Sequence, residues 1–158
     1  MTTIIEGGYV LLPVSTLGQV LKLACTKSIT CFDVRVFLAL VETNHIRTAE
    51  NAHRRLKGAE LLDWVSFSKD EVKRILGASC SGSVGSSLRR LERAGIATFS
   101  DKRIEIFSQP QCELLPSARR MPIPRRILRY LAQEAKRCVI FTALSYMARG
   151  LFSRRGAI

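Results

Sequence analysis

Histidine and tryptophan are scarce in this chain, at two residues and one, and its five cysteines form no C-x-x-C pair. Cys25, Cys31, Cys80, Cys112 and Cys138 are odd in number and widely spaced, with only His45 and His53 as imidazole partners. Neither a zinc site nor a disulfide framework is expected, and the spacing fits a reducing cytosol. The start of the chain lacks the basic stretch followed by an apolar one that marks a secretory signal. Long apolar runs are missing too. The longest uncharged stretch near the end, residues 138–148, lies between Arg137 and Arg149 and falls far short of the ~20 residues of a bilayer span. The expectation is a cytoplasmic protein without a membrane partner. No G-x-x-x-x-G-K-[ST], G-x-S-x-G or H-E-x-x-H occurs, the carboxylates are scattered, and Tyr9, Tyr130 and Tyr146 are isolated. The chain is therefore expected not to be an enzyme, with no catalytic residue, metal or cofactor.

Acidic residues are the other shortage. Among 158 residues, 13 Asp and Glu face 25 Lys and Arg, a formal charge of +12, while 47% of the chain is hydrophobic. That is too apolar for a disordered basic arm and basic enough to attract polyanions, nucleic acid first and anionic membrane second. The excess is uneven: residues 111–158 carry 10 basic against 2 acidic residues.

The periodicities predict a mainly α protein. G-G-Y-V-L-L-P-V-S-T-L reads as a short extended segment ended by Pro13, then a helical turn reaching Leu23. Thr30 is placed as an N-cap with Asp33 reaching back to it, and F-D-V-R-V-F-L-A-L-V, apolar on nearly every side, suits a helix at the centre of the domain. His45 to Lys57 is polar and basic and reads as a loop or an exposed helical insertion, with His45 and His53 as ordinary surface residues. W-V-S-F is a strand candidate and Ser68 an N-cap. K-D-E-V-K-R-I-L follows with Val72, Ile75 and Leu76 at helical spacing, ended by Gly77. A small-residue turn leads into V-G-S-S-L-R-R-L-E-R-A, closed by Gly95, and I-A-T-F-S-D-K-R-I-E-I-F reads as a hairpin.

Buried helix, helix, tight turn, helix and hairpin is the element order of a winged helix-turn-helix domain. Ser81 to Phe99, S-G-S-V-G-S-S-L-R-R-L-E-R-A-G-I-A-T-F, resembles the recognition helix and first wing strand of that superfamily, the likeness extending over about residues 30–107. It implies a mainly α fold with a small β-hairpin wing and nucleic-acid binding, without fixing one biological role. The division would be an N-terminal extended and helical segment over 1–29, the winged domain over 30–108, a proline-containing linker over 109–123 and a basic helical extension over 124–158. Helical geometry puts Val84, Leu88 and Leu91 on one face and Ser86, Arg89, Arg90 and Arg93 opposite. Base reading is assigned to Ser83, Ser86, Arg89 and Arg90, since Arg grips guanine O6 and N7 bidentately. Arg93 would lie nearer the backbone, and Ser81 would permit close approach of the helix start. Three arginines on a helix face also suit a plain solvated surface; the flanking turn, the hairpin and the charge favour DNA. Lys102 and Arg103 stand at or beside the hairpin tip, and Lys69, Lys73 and Arg74 on the preceding helix could clamp phosphates, although Asp70 and Glu71 dilute that signal. Cys80 at the helix entry reads as a small buried residue rather than a redox switch.

Beyond Pro124 a helical pattern resumes with Arg125, Arg126 and Arg129 as phosphate contacts. Ile127, Leu128, Leu131, Ala135 and Cys138 fall along one side for packing on the domain or on a second copy, although C-V-I-F-T could be strand. The expected function is double-stranded DNA binding as a transcriptional regulator of a bacterium or mobile element, as a homodimer formed through residues 124–150. A plasmid replication or partition factor is one alternative. A winged-helix protein-interaction module inside a larger assembly is another.

Overall fold

A computed structural model describes residues 8–59, 69–77, 84–100, 103–106, 120–133 and 136–148. The chain is mainly helical, with two pairs of antiparallel strands among the described residues. Strand β1 (Tyr9–Pro13) runs into helix α1 (Val14–Cys25), and α2 follows over Cys31–Leu56. Then come α3 (Lys69–Leu76), α4 (Val84–Arg93), β2 (Ala97–Ser100), β3 (Arg103–Ile106), β4 (Arg120–Pro124), α5 (Arg125–Gln133) and α6 (Arg137–Ala148). Ser68, Cys80, the W-V-S-F segment and the turn before α4 lie outside the described residues.

Helix α2 is the axis of the fold. Its start is the capping box expected of Thr30: the Thr30 hydroxyl accepts from the Asp33 N–H at 3.1 Å while Asp33 Oδ2 accepts from the Thr30 N–H at 2.8 Å. Every residue from Asp33 to Thr43 is buried, and Phe37, Leu38, Leu40 and Val41 are wholly enclosed. Of the two expectations over His45 to Lys57, a loop or an exposed helical insertion, the structure shows helix, and it continues α2 to Leu56 rather than standing as a separate insertion. Ala, Glu, Arg and Leu propagate an existing helix readily, and no glycine or proline interrupts before Gly58. Gly58, at φ +68°, ends it, with the N–H of Gly58 on Arg55 C=O and that of Ala59 on Arg54 C=O.

Helices α3 and α4 pack on α2 and touch each other. Gly95, at φ +77°, sits where the sequence puts a helix stop; its N–H bonds Glu92 C=O and the Ile96 N–H bonds Leu91 C=O, each at 3.0 Å. The chain then enters the expected hairpin, in which Ala97 pairs with Ile106 and Ser100 with Arg103.

The N-terminal segment has a partner that the sequence does not announce. Residues 120–123, assigned to the linker, together with Pro124 form β4 and pair antiparallel with β1, Tyr9 opposite Pro124 and Pro13 opposite Arg120. Prolines are admitted because of the register. The Arg125 N–H bonds Gly8 C=O at 3.1 Å, so by antiparallel alternation Val10 with Ile123 and Leu12 with Met121 form the hydrogen-bonded pairs. Pro13, Pro122 and Pro124 fall at the intervening positions, whose N–H would point outward, and there they blunt the edge. Val10, Leu12 and Ile123 face the core.

Two helices occupy the span read as one helical pattern, and the C-V-I-F-T stretch is helix rather than strand. Leu128, Leu131 and Ala132 of α5 are buried against α2 and α3. Cys138 is exposed, contrary to its expected place on that apolar side, because α6 restarts at Arg137 with a new phase and buries Ile140 and Leu144 toward α1. Arg35 Nε donates to Ala132 C=O at 2.8 Å, placing a cation at the end of α5, and Gln133 Nε2 donates to Ile75 C=O at 3.1 Å at the end of α3. Of that apolar side, Leu128 and Leu131 pack on the chain's own domain, the first of the two places expected for it.

Candidate nucleic-acid interface

Helix α4 buries Val84, Leu88 and Leu91, as its periodicity predicts, and also Ser87. On the other side Arg89 and Arg93 are exposed and Ser86 is half-buried. Neither Arg89 nor Arg93 has an ion pair among the described residues. Lys69 and Lys73 are exposed on neighbouring α3. Arg103 opens β3, paired with Ser100 at the end of β2. Ser81, Ser83 and Lys102 lie outside the described residues.

Arg90 is placed differently from expectation. Its Nε donates to Asp33 Oδ2 at 2.8 Å and its Nη2 to Asp33 Oδ1 at 2.9 Å, a two-pronged grip on a fully buried carboxylate. That is the fork a guanine edge would require, so Arg90 holds α4 to the start of α2. Ser87 Oγ adds a third bond, donated to Asp33 Oδ1 at 2.6 Å. Burial alone would raise the Asp33 pKa, but the hydrogen bonds from Arg90, Ser87 and the Thr30 N–H, with the Arg90 charge, outweigh it and hold the carboxyl below its ordinary value. The same pairing raises the Arg90 pKa.

Arg125 and Arg129, expected on phosphates, grip a second buried carboxylate. Glu42 Oε1 accepts from Arg125 Nη2 at 2.6 Å, from Arg125 Nε at 3.0 Å and from Arg129 Nε at 3.0 Å. Glu42 is fully enclosed, whereas the Arg129 side chain is 50% exposed. Of the three arginines only Arg126 stands outward without such a bond among the described residues. His45, half-buried nearby, has its pKa lowered by burial and by the Arg125 charge, partly offset by Glu42. Burial pushes the Cys31 thiol up despite Arg137 and Arg35.

The two carboxylates lie on different sides of α2. At about 100° per residue, Glu42 stands about 180° round the helix from Asp33, and Arg35 about 200°. Hence α4, bonded to Asp33, and α5, bonded to Glu42 and Arg35, occupy opposite flanks. Sequence reasoning passed over Glu42, Ser87, Arg35 and Gln133. A signal existed for two of them: Glu42 ends an otherwise apolar run, and Ser87 sits three residues after Val84 on the buried face.

Among the described residues no His, Cys, Asp or Glu group is arranged to hold a metal ion, and no helix is long and apolar enough to cross a membrane. Comparison with protein-family models, with curated proteins and with solved structures finds no match for this chain.

Proposed function

We propose that the chain binds double-stranded DNA in the manner of a winged helix-turn-helix protein, with α4 in the major groove and the β2–β3 hairpin beside it, and serves as a transcriptional regulator. The observation that carries this reading is the outer face of α4. Arg89 and Arg93 stand exposed there on a helix fixed by its buried side, on a chain of formal charge +12. An α-helix fits the major groove, and on this reading Arg89 reaches base edges while Arg93 meets phosphate. The hairpin, at whose tip the sequence puts Lys102 and Arg103, would lie at the minor groove or backbone. Arg90 supports the interface indirectly by fixing the rotation of α4 against α2.

The reading is tested by fluorescence anisotropy with a random duplex, a random single strand and fragments of the gene's upstream region, each across several salt concentrations. Tight binding to one duplex with weak salt dependence supports a specific DNA-binding protein. Protection of one palindrome over a promoter then marks a regulator acting as a dimer, and cooperative filling of direct repeats marks a replication or partition factor. Equal affinity for all probes with steep salt dependence, or no binding, contradicts the reading and points to an acidic protein partner.

A further inference from the structure

Helix α5 turns a second basic face outward. Leu128, Leu131 and Ala132 are buried, and Arg126, Arg129, Tyr130 and Gln133 recur at helical spacing on the exposed side. Neither α5 nor α6 contains an acidic residue. Arg125 and Arg129 both bond the Glu42 carboxylate, and the Arg129 side chain, 50% exposed, reaches solvent on this face. Arg129 and Gln133 also line a cleft of about 360 Å³ with Arg74 of α3, in which Glu71 is the acidic residue. Tyr130, 58% exposed, is one of few large apolar side chains left at the surface among the described residues. A basic face with an exposed aromatic suits the backbone of a nucleic acid better than an apolar partner.

We propose that this face of α5 is a second DNA-backbone surface, and that one protomer holds two duplex segments at once, one on α4 and one on α5. The placement is the reason for two segments rather than one longer contact: α4 and α5 are bonded to opposite flanks of α2. Arg126 and Tyr130 carry the contact, since Arg125 is committed to Glu42. The second surface recognises phosphate and is indifferent to sequence. As a bridge between duplexes the proposal rests on the DNA-binding reading of α4.

The test uses the full chain, a duplex fixed to beads and a labelled duplex of unrelated sequence in solution. Wild-type protein bound to the beads recruits the labelled duplex. Arg126→Glu/Tyr130→Ser, which alters only exposed side chains, keeps its melting temperature and its binding to the fixed duplex but recruits about fivefold less or worse. Recruitment equal to wild type by that variant, as a dimer with two α4 faces would give, overturns the proposal. Binding to the beads without recruitment by wild type overturns it as well. Arg89→Glu/Arg93→Glu separates the two readings. Salt-steep residual binding that disappears on adding Arg126→Glu supports both surfaces. Wild-type binding by Arg89→Glu/Arg93→Glu, together with complete loss in Arg126→Glu/Tyr130→Ser, leaves the α5 surface standing and removes α4. No binding of any duplex by wild type defeats both.

Discussion

The two flanks of α2 solve one problem in different ways. On one side Asp33 is buried beneath α4 and satisfied by its own cap, by Ser87 and by the Arg90 fork. On the other Glu42 is buried beneath α5 and satisfied by Arg125 and Arg129. Asp33 has local donors that survive loss of its arginine, whereas the bonds described for Glu42 all come from α5. The comparison teaches that arginines adjacent in sequence do different work. Arg89 and Arg93 are presented to solvent while Arg90 between them is a fastening, and Arg126 is presented while Arg125 beside it is a fastening.

The comparison breaks most severely at Glu42. Arg125→Gln/Arg129→Gln leaves a buried carboxylate with both arginines gone, a loss of about 3–5 kcal/mol, read as a fall in melting temperature of roughly 10 °C by calorimetry. Glu42→Gln is expected to lower it less, because Arg129 is already half exposed and can turn to water. Arg90→Ala comes next, at about 2–3 kcal/mol by denaturant titration, since Ser87 and the Thr30 N–H still bond Asp33. A melting temperature equal to wild type in that variant would mean that Arg90 does not fasten α4.

Acid sharpens the contrast. His45 has a lowered folded pKa, so the unfolded chain takes up its proton first and stability falls as pH drops below about 6.5. Asp33 also has a lowered folded pKa, so its contribution is complete at neutral pH and is lost below about pH 4. His45→Gln should flatten the upper part of a melting-temperature profile and Asp33→Asn the lower part. The smallest effect is expected of Arg89→Ala/Arg93→Ala, within about 0.5 kcal/mol of wild type, because both side chains lie on the surface.

The parts of this architecture written in short-range signals are legible in the sequence. The Thr30 cap, the stops at Gly77 and Gly95, the apolar face of α4 and the 97–106 hairpin each depend on residues a few positions apart. What escapes depends on distance along the chain. Nothing local tells that residues 120–124 pair with residues 9–13, or that Arg90 meets a carboxylate 57 positions earlier. The α4 face was half legible for the same reason: helical phase separates Leu88 from Arg89, but cannot say which outward arginine bends back to a buried acid. Residues 45–56 left loop and helix open because their polarity resembles a loop, while their helix propensity and the absence of glycine let α2 continue.

The central claim is that the outward arginines of α4 meet DNA and the inward one holds the helix. Duplex affinity and melting temperature measured side by side for Arg89→Ala/Arg93→Ala and for wild type test it most directly. The account predicts that specific duplex binding falls by tenfold or more, from about 1–3 kcal/mol per lost arginine contact, with the melting temperature unchanged. Wild-type affinity in that double variant would contradict it.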